Sequence, residues 1–446
     1  MNTLLLAFGL LTMVSLGAII LIGYVKRRHD LISVRNLILL GGVFFVGAST
    51  VNAALSPGGY ADYTTSDVLN FIAGVVIFFI TFLLWYRWFK PSRVLGSKLF
   101  RRWPPTGAGP LGVLAIVSVV IALMKVFYIP IPGVAPLMSM IGDKAAIIAL
   151  ALAFAAWYQQ KNNTLLLTIF IGIVLFAMVW SLSTGTGRRA LVGVVAVFPV
   201  VAYWQKYRYA PARRVLPPLT LLSVAGLMVI AGYSSFRHEA QSHESTIANA
   251  IARAKQLPSA IVSSDVWGNE IWDFLGQNAT EASLLAIHIH TRNEPISPFH
   301  SLIFYVTNPI PRAVWEDKPV GYGYLLPQEI YEIKGSRATW GPGIVGHAFH
   351  EGGLHMCVFY AVLFATIFRF FDELLMRQPS NPFLAGMLAA AAGDLGGLVR
   401  GDIVIFGVQA TAAVIAGFVI AGVGRICVGR SVCYSDVPMS YVPRSG

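Results

Sequence analysis

The sequence predicts an all-α, polytopic integral membrane bundle, and three observations carry that prediction. Of its 446 residues 56% are hydrophobic and only 12% charged, against ~25% charged in an average soluble chain. Apolar runs recur along the whole length, each near the ~20 residues that a helix needs to cross a bilayer. The net charge of +12 sits mostly in short Lys/Arg-rich loops between those runs, a pattern of membrane orientation, so no nucleic-acid partner is expected.

In chain order the candidate spans are 3–25, 31–55, 68–86, 109–128, 142–158, 164–182, 190–205, 216–233, 343–368, 383–399 and 403–424. The first run starts at once and is followed by Lys26, Arg27 and Arg28. That order is the reverse of a signal peptide, so it reads as a retained first helix. About eleven crossings put the N-terminus outside and the C-terminus in the cytoplasm. Arg35, Arg87, Lys90, Arg93, Lys98, Lys206, Arg208, Arg213 and Arg214 then all fall on inner loops, as the positive-inside rule requires. The chain divides into an N-terminal bundle of about eight spans (1–233), a large external loop (234–342), three C-terminal spans (343–424) and a cytoplasmic tail (425–446).

Two spans carry polar residues at their ends. Residues 142–158 open on Gly142, Asp143 and Lys144, and 383–399 contain Gly393, Asp394, Gly396 and Gly397. Both admit a re-entrant or broken segment, which membrane depth tolerates only where backbone is buried in protein or lines a cavity. The external loop opens helically, with Ile247 and Ile251 among polar neighbours, and then turns aromatic and proline-rich over residues 297–323. At over a hundred residues it is long for a connector, and its aromatic content argues for a folded, substrate-covering piece. Cys357, Cys427 and Cys433 form no CxxC or disulfide framework.

The densest polar stretch is RATWGPGIVGHAFHEGGLH, residues 337–355, at the mouth of the ninth span. Ionisable groups at the head of a membrane helix are costly and point to function. On one continuous helix His347, Glu351 and His355 share a face. His350 and Glu351 begin an HExxH zinc motif, but Leu354 occupies the position of its second histidine, so neither a metal nor another cofactor is expected. An acid–base role for His347, His350 or Glu351 competes with a purely structural one, in which the glycines serve close helix packing.

External arginines form the second group: Arg188 and Arg189 after Gly185-Thr186-Gly187, Arg312, Arg337, and Arg400 in an Arg-Gly-Asp turn with Asp402. One arginine at a helix end is explained by snorkelling to headgroups. The set as a whole favours a phosphate or pyrophosphate site, because guanidinium makes bidentate, permanently charged contacts to such oxygens. In the loop NPIPRAVWEDKPVGYG, residues 308–323, Trp315 and Tyr322 offer rings for sugar stacking, with Asp402 as a polar sugar contact; an interfacial aromatic belt is the alternative.

A polytopic chain with one large external loop in its C-terminal third, NPIPRAVWEDKP near that loop's end, GPGIVGHAFHEGG entering the next span and RGD before the last resembles the O-antigen polymerase (Wzy-type) family of oligosaccharide repeat-unit polymerases. The likeness covers residues 180–405. It implies a GT-C-like helix arrangement in a bacterial inner membrane, without a cofactor. Its substrate would be an undecaprenyl-pyrophosphate-linked oligosaccharide, with chain-length regulator and flippase proteins as partners. Arg188, Arg189, Arg312, Arg337 and Arg400 would hold the pyrophosphate. His347 stands where many relatives carry glutamate, which leaves His347, His350 and Glu351 all open as the base. O-antigen ligase, with the same topology and another acceptor, and a transporter or flippase of lipid-linked glycan or other anions are the rival functions.

Overall fold

The computed structural model describes residues 1–55, 63–91, 102–104, 106–125, 134–183, 188–235, 259, 279–292, 297–308, 310–312, 314–331, 340–427 and 432–433. The expected helical opening of the external loop around Ile247 and Ile251, and Arg337, lie outside the described residues.

The N-terminal helices are α1 (Asn2–Val25), α2 (Val34–Leu55, with a π-helical stretch at Gly42–Ala48), α3 (Thr65–Trp88) and α4 (Ala108–Leu123). They continue with α5 (Val134–Gln159), α6 (Thr164–Ser183), α7 (Arg188–Ala202, prolonged by a π turn to Tyr207) and α8 (Ala212–Ser235). Three short helices follow in the external-loop region: α9 (Ala279–Arg292), α10 (His300–Thr307) and α11 (Tyr322–Tyr331). Then come α12 (Gly343–Arg377), α13 (Pro382–Gly397) and α14 (Ile403–Cys427). Nine helices among the described residues are long and apolar enough to cross a membrane. The other two expected spans fold as the 16-residue helices α4 and α13.

The architecture is a helical bundle with α13 at its centre. Its Ala- and Gly-rich sequence, PFLAGMLAAAAGDLGG, is buried along nearly its whole length and packs on α5, α7 and α14. Small residues let helix backbones approach closely where no water drives association. A Cβ at Gly393 would lie 2.6 Å from the Arg189 carbonyl of α7. Asn381 starts α13 by accepting from the Phe383 and Leu384 amides.

The polar residues that made 142–158 and 383–399 look breakable are instead paired inside intact helices. Asp143 accepts from Lys125 Nζ at 2.7 Å and from Trp180 Nε1 at 3.1 Å, and Lys144 pairs with Asp394. Pairing offsets the desolvation that would otherwise expel these charges from the bundle.

The expected single helix at 343–368 is corrected by the structure. α12 is two helical segments across a kink at Gly352 (φ 173°, ψ 32°) and Gly353 (φ 65°, ψ −149°). The shared face of His347, Glu351 and His355 is therefore lost, and His355 lies exposed beyond the kink while the other two are buried. Gly353 has the positive φ that glycine alone adopts without cost.

At one end of the bundle Asp372 of α12 accepts from the Val34 and Arg35 amides of α2 and the Tyr86 hydroxyl of α3. Nearby, Arg208 pairs with Asp30 at 2.8 Å. A two-residue antiparallel pairing of Arg102–Trp103 with Val432–Cys433 brings a C-terminal segment onto the bundle, where Trp103 stacks between Phe383 and Phe418. The opposite end, the histidine end, carries the candidate site.

Candidate functional site

The chain returns to the histidine end through α9, which packs along the first half of α12. α9 is docked by its first residues: Thr280 N donates to Ser49 Oγ of α2, and the Thr280 and Thr50 hydroxyls share a 3.0 Å hydrogen bond. At its other end His288 Nδ1 meets Asp67 Oδ2 of α3 at 2.8 Å.

The backbone of the GPG turn explains itself at close quarters. A Cβ at Gly341 would lie 2.6 Å from Gly401 Cα, and one at Gly343 (φ +66°) would run into the Val399 carbonyl. The turn before α12 is thus pressed against residues 399–401, which places the Arg400-Gly401-Asp402 turn beside the histidines.

His347 and His350 are each 1% exposed. His350 Nδ1 lies 3.0 Å from the Ala286 carbonyl, which can only accept, so Nδ1 carries the hydrogen and Nε2 of the neutral ring is a bare lone pair. That Nε2 has no hydrogen-bond partner among the described residues, and neither has Nε2 of His347, whose Nδ1 meets Ser301 Oγ at 3.2 Å. Two orphaned ring nitrogens one helical turn apart are an expensive arrangement for a core. His290 Nδ1 in turn donates to the His350 carbonyl at 2.9 Å, satisfying a backbone acceptor freed by the kink.

Glu351 stands differently. Its Oε1 accepts from Ser301 N at 2.9 Å and its Oε2 from the Tyr360 hydroxyl at 2.7 Å. The carboxylate binds a first-turn amide of α10 and so clamps that helix to α12, a favourable place for a negative charge. His300 Nε2, donating to the Val320 carbonyl, secures the other side of α10.

Tyr322 and Asp402, expected to face a sugar, are both buried. The Tyr322 ring stacks on His350 at 4.6 Å and meets His347 edge-on at 5.1 Å, so it roofs the histidines. Asp402 caps α14, with Oδ1 accepting from the Val404 and Ile405 amides and Oδ2 from Gly323 N at 2.8 Å. The Tyr322 ring is thus packed on the histidines, and the Asp402 carboxylate is bonded to backbone amides. Trp315 is 40% exposed and keeps an open face.

The arginines divide. Arg189 of α7 lies 3.6 Å from Asp394, which also takes Lys144, and its guanidinium sits 4.4 Å over the Phe406 ring. Phe406 packs directly on Gly401, which connects this cluster to the Arg400 turn. Among the described residues Lys125, Lys144 and Arg189 pair with Asp143 and Asp394, three cations on two carboxylates. Arg400 lies over Phe45 at 5.7 Å. Arg312 is exposed on its loop, with Nη1 donating to the Glu316 carbonyl. Nearby Lys318 donates to the carbonyls of Asn308 and Ile310, and burial together with Arg312 lowers its pKa. Arg188 begins α7, with its side chain outside the described residues.

Lys125, Lys144, Asp394, His290 and Ser301 were not picked out as site residues from the sequence. Asp143, Lys144 and Asp394 had a visible signal, charge in an apolar run, which reads locally as a helix break; the partners of Lys144 lie about 250 positions away. Among the described residues no cluster of three or more His, Cys, Asp or Glu is placed to hold a metal.

No curated protein and no solved structure matches the chain. Residues 111–369, more than half of it and including α9 to most of α12, match the family described as a domain of unknown function (DUF8712), and the protein belongs to that family.

Proposed function

We propose that the protein is a membrane glycosyltransferase that polymerises lipid-linked oligosaccharide repeat units, O-antigen or exopolysaccharide, on a polyprenyl-pyrophosphate donor. The observation that carries this reading is the Arg400-Gly401-Asp402 turn with its two flanks. On one side lie His347 and His350 with partnerless Nε2 atoms, and on the other Arg189 and Lys144 carry excess positive charge. An acid–base group beside an anion site is what glycosyl transfer from a pyrophosphate requires.

In the reaction the acceptor sugar's hydroxyl attacks the anomeric carbon of the donor while the carbon–oxygen bond to pyrophosphate breaks. The hydroxyl proton passes to a histidine Nε2, with His350 preferred because a carbonyl fixes its tautomer. The leaving pyrophosphate takes the electron pair and is stabilised by arginines preorganised around it. Arg189 of α7, Arg400 of the turn before α14 and Arg312 of the loop would serve, and the sequence reading adds Arg188 and Arg337 to the set. Trp315 stacks on a sugar. Glu351 holds α10 rather than the proton. We place the protein in a bacterial inner membrane, with about eleven crossings in a GT-C-like arrangement and the histidine end facing the periplasm. Chain-length regulator and flippase proteins would be its partners.

Arg312→Ala and Arg400→Ala test the anion site. Both should abolish chain extension while membrane insertion is retained, and wild-type polymer ladders from both would remove the pyrophosphate assignment. One observation favours a second reading, transport of a lipid-linked glycan or other anion: α12 is broken at Gly352 and Gly353 within its expected span, as helices of transporters are. Vesicle uptake without a lengthened glycan would decide for transport.

A further inference from the structure

Next to the histidine end, α12, α13 and α14 leave between them an apolar cleft of about 200 Å³. Its walls run from Tyr360 to Phe371 on α12, from Met387 on α13 to Leu398 just past its end and from Ile403 to Val414 on α14, and Val34 of α2 closes its far end. Each stretch advances eleven residues, or about 16 Å at the α-helical rise. That is about half of the ~30 Å hydrocarbon core of a bilayer, the depth of one leaflet. Ile367, on the wall, is 50% exposed, so the cleft opens sideways where α12 and α14 would meet lipid.

The outer end of the cleft is built from residues of the site. Ser301 lines it while its amide donates to Glu351 and its hydroxyl meets His347. Tyr360 also lines it while donating to Glu351. The remaining hydroxyls, Tyr305 and Thr411, are hydrogen-bonded to one another across it. Everything beyond them is hydrocarbon, and a molecule in the cleft with a polar head at Ser301 has that head one residue from His347.

We propose that this cleft is the subsite for the hydrocarbon chain of the lipid carrier, which enters laterally from the leaflet at the histidine end and lays its first isoprenoid units between α12 and α14. The carrier's identity as a polyprenyl pyrophosphate rests on the transferase reading; the cleft's geometry does not. Continuity with the His347–Ser301–Glu351 contacts selects a substrate chain over a bulk lipid, because the chain's head then lies beside His347, one helical turn from His350, and α10 lies over it.

The test is photolabelling of the full-length protein in nanodiscs with a sugar-free polyprenyl pyrophosphate bearing a diazirine in its chain, alongside a diazirine-bearing phosphatidylglycerol. The polyprenyl probe should label peptides spanning 360–371 and 403–414 roughly ten-fold above the α8 peptide carrying Leu221, which is 71% exposed. Unlabelled polyprenyl pyrophosphate should displace it and phospholipid should not. Ala410→Trp, filling the cleft, should cut labelling roughly ten-fold with an unchanged melting temperature; Ile367→Trp at the mouth serves if the first variant misfolds. Equal labelling by the phospholipid probe with no displacement by polyprenyl pyrophosphate would overturn the proposal, as would labelling indifferent to both variants. The readout needs no product, so the two failures separate. Labelling without polymer synthesis overturns the transferase reading alone, and synthesis by a protein whose cleft is unlabelled overturns the subsite alone.

Discussion

Glu351→Gln, compared with Glu351→Ala, separates a clamp from a base. Both oxygens of Glu351 are engaged, by the Ser301 amide and the Tyr360 hydroxyl, and the residue is 3% exposed. Glutamine keeps a carbonyl for the Ser301 amide, and the Tyr360 hydroxyl can rotate to accept from the new NH₂. The loss is then the charge assistance of two hydrogen bonds, about 1–2 kcal/mol. Alanine leaves a buried amide and a buried hydroxyl unsatisfied, at about 1–3 kcal/mol each. Thermal unfolding in detergent should therefore rank wild type above Gln and Gln well above Ala. Chain extension by Glu351→Gln should stay within about ten-fold of wild type, whereas removal of a general base costs about 10²–10⁴-fold. A glutamine variant as stable as wild type but without activity would refute the clamp and make Glu351 the base.

Asp394→Asn leaves the Lys144 ammonium, whose side chain is 7% exposed, without its carboxylate. It should cost about 3–5 kcal/mol by thermal unfolding, and the double variant Lys144→Met with Asp394→Leu should recover most of it; equal losses in both would contradict a buried pair. Gly353→Ala puts a side chain at φ 65°, ψ −149° and should destabilise by about 1–3 kcal/mol. Gly352→Ala, at an extended φ and against the flexible Met356 side chain, should cost less, and a reversed order would deny the kink. His29, between α1 and α2, is lowered from 6.5 to about 4 by burial and then by Arg35, Arg369, Arg28 and Arg87. Because the unfolded chain protonates first, the contribution of His29 to stability is complete above about pH 6.5 and is lost as pH falls through about 4. His29→Gln should flatten the fall in melting temperature across that window, and an unchanged slope would remove His29 from it.

Hydropathy made the spans legible, and every expected span has a helix, because length and apolar content are local properties. The kink in α12 was not legible: glycine pairs occur in intact membrane helices as packing faces, and the His290 side chain that bonds the His350 carbonyl at the break comes from α9, a distant segment. Asp143, Lys144 and Asp394 carried the right signal and the wrong inference. A charge in a span is a helix break or an ion pair depending on a partner elsewhere in the chain, and Lys144 finds Asp394 across the bundle. Asp402 and Tyr322 show the same limit for sites: residue type suggested a sugar contact, while the helix cap and the ring stack they form are set by the fold and carry no local sequence signal. The histidines were visible as residues, whereas their orphaned nitrogens depend on Ala286 and Ser301 from segments with no sequence signal of that role.

The most direct measurement is reconstitution of the purified protein in liposomes with one defined polyprenyl-pyrophosphate-linked repeat unit, with products sized by gel and mass spectrometry. Wild type should yield a ladder of lengthened lipid-linked glycans, and His350→Gln should slow its formation by about 10²–10⁴-fold without loss of the folded protein. Glycan accumulation across the membrane with no lengthened product, or a ladder unaffected by His350→Gln and His347→Gln together, would contradict the account.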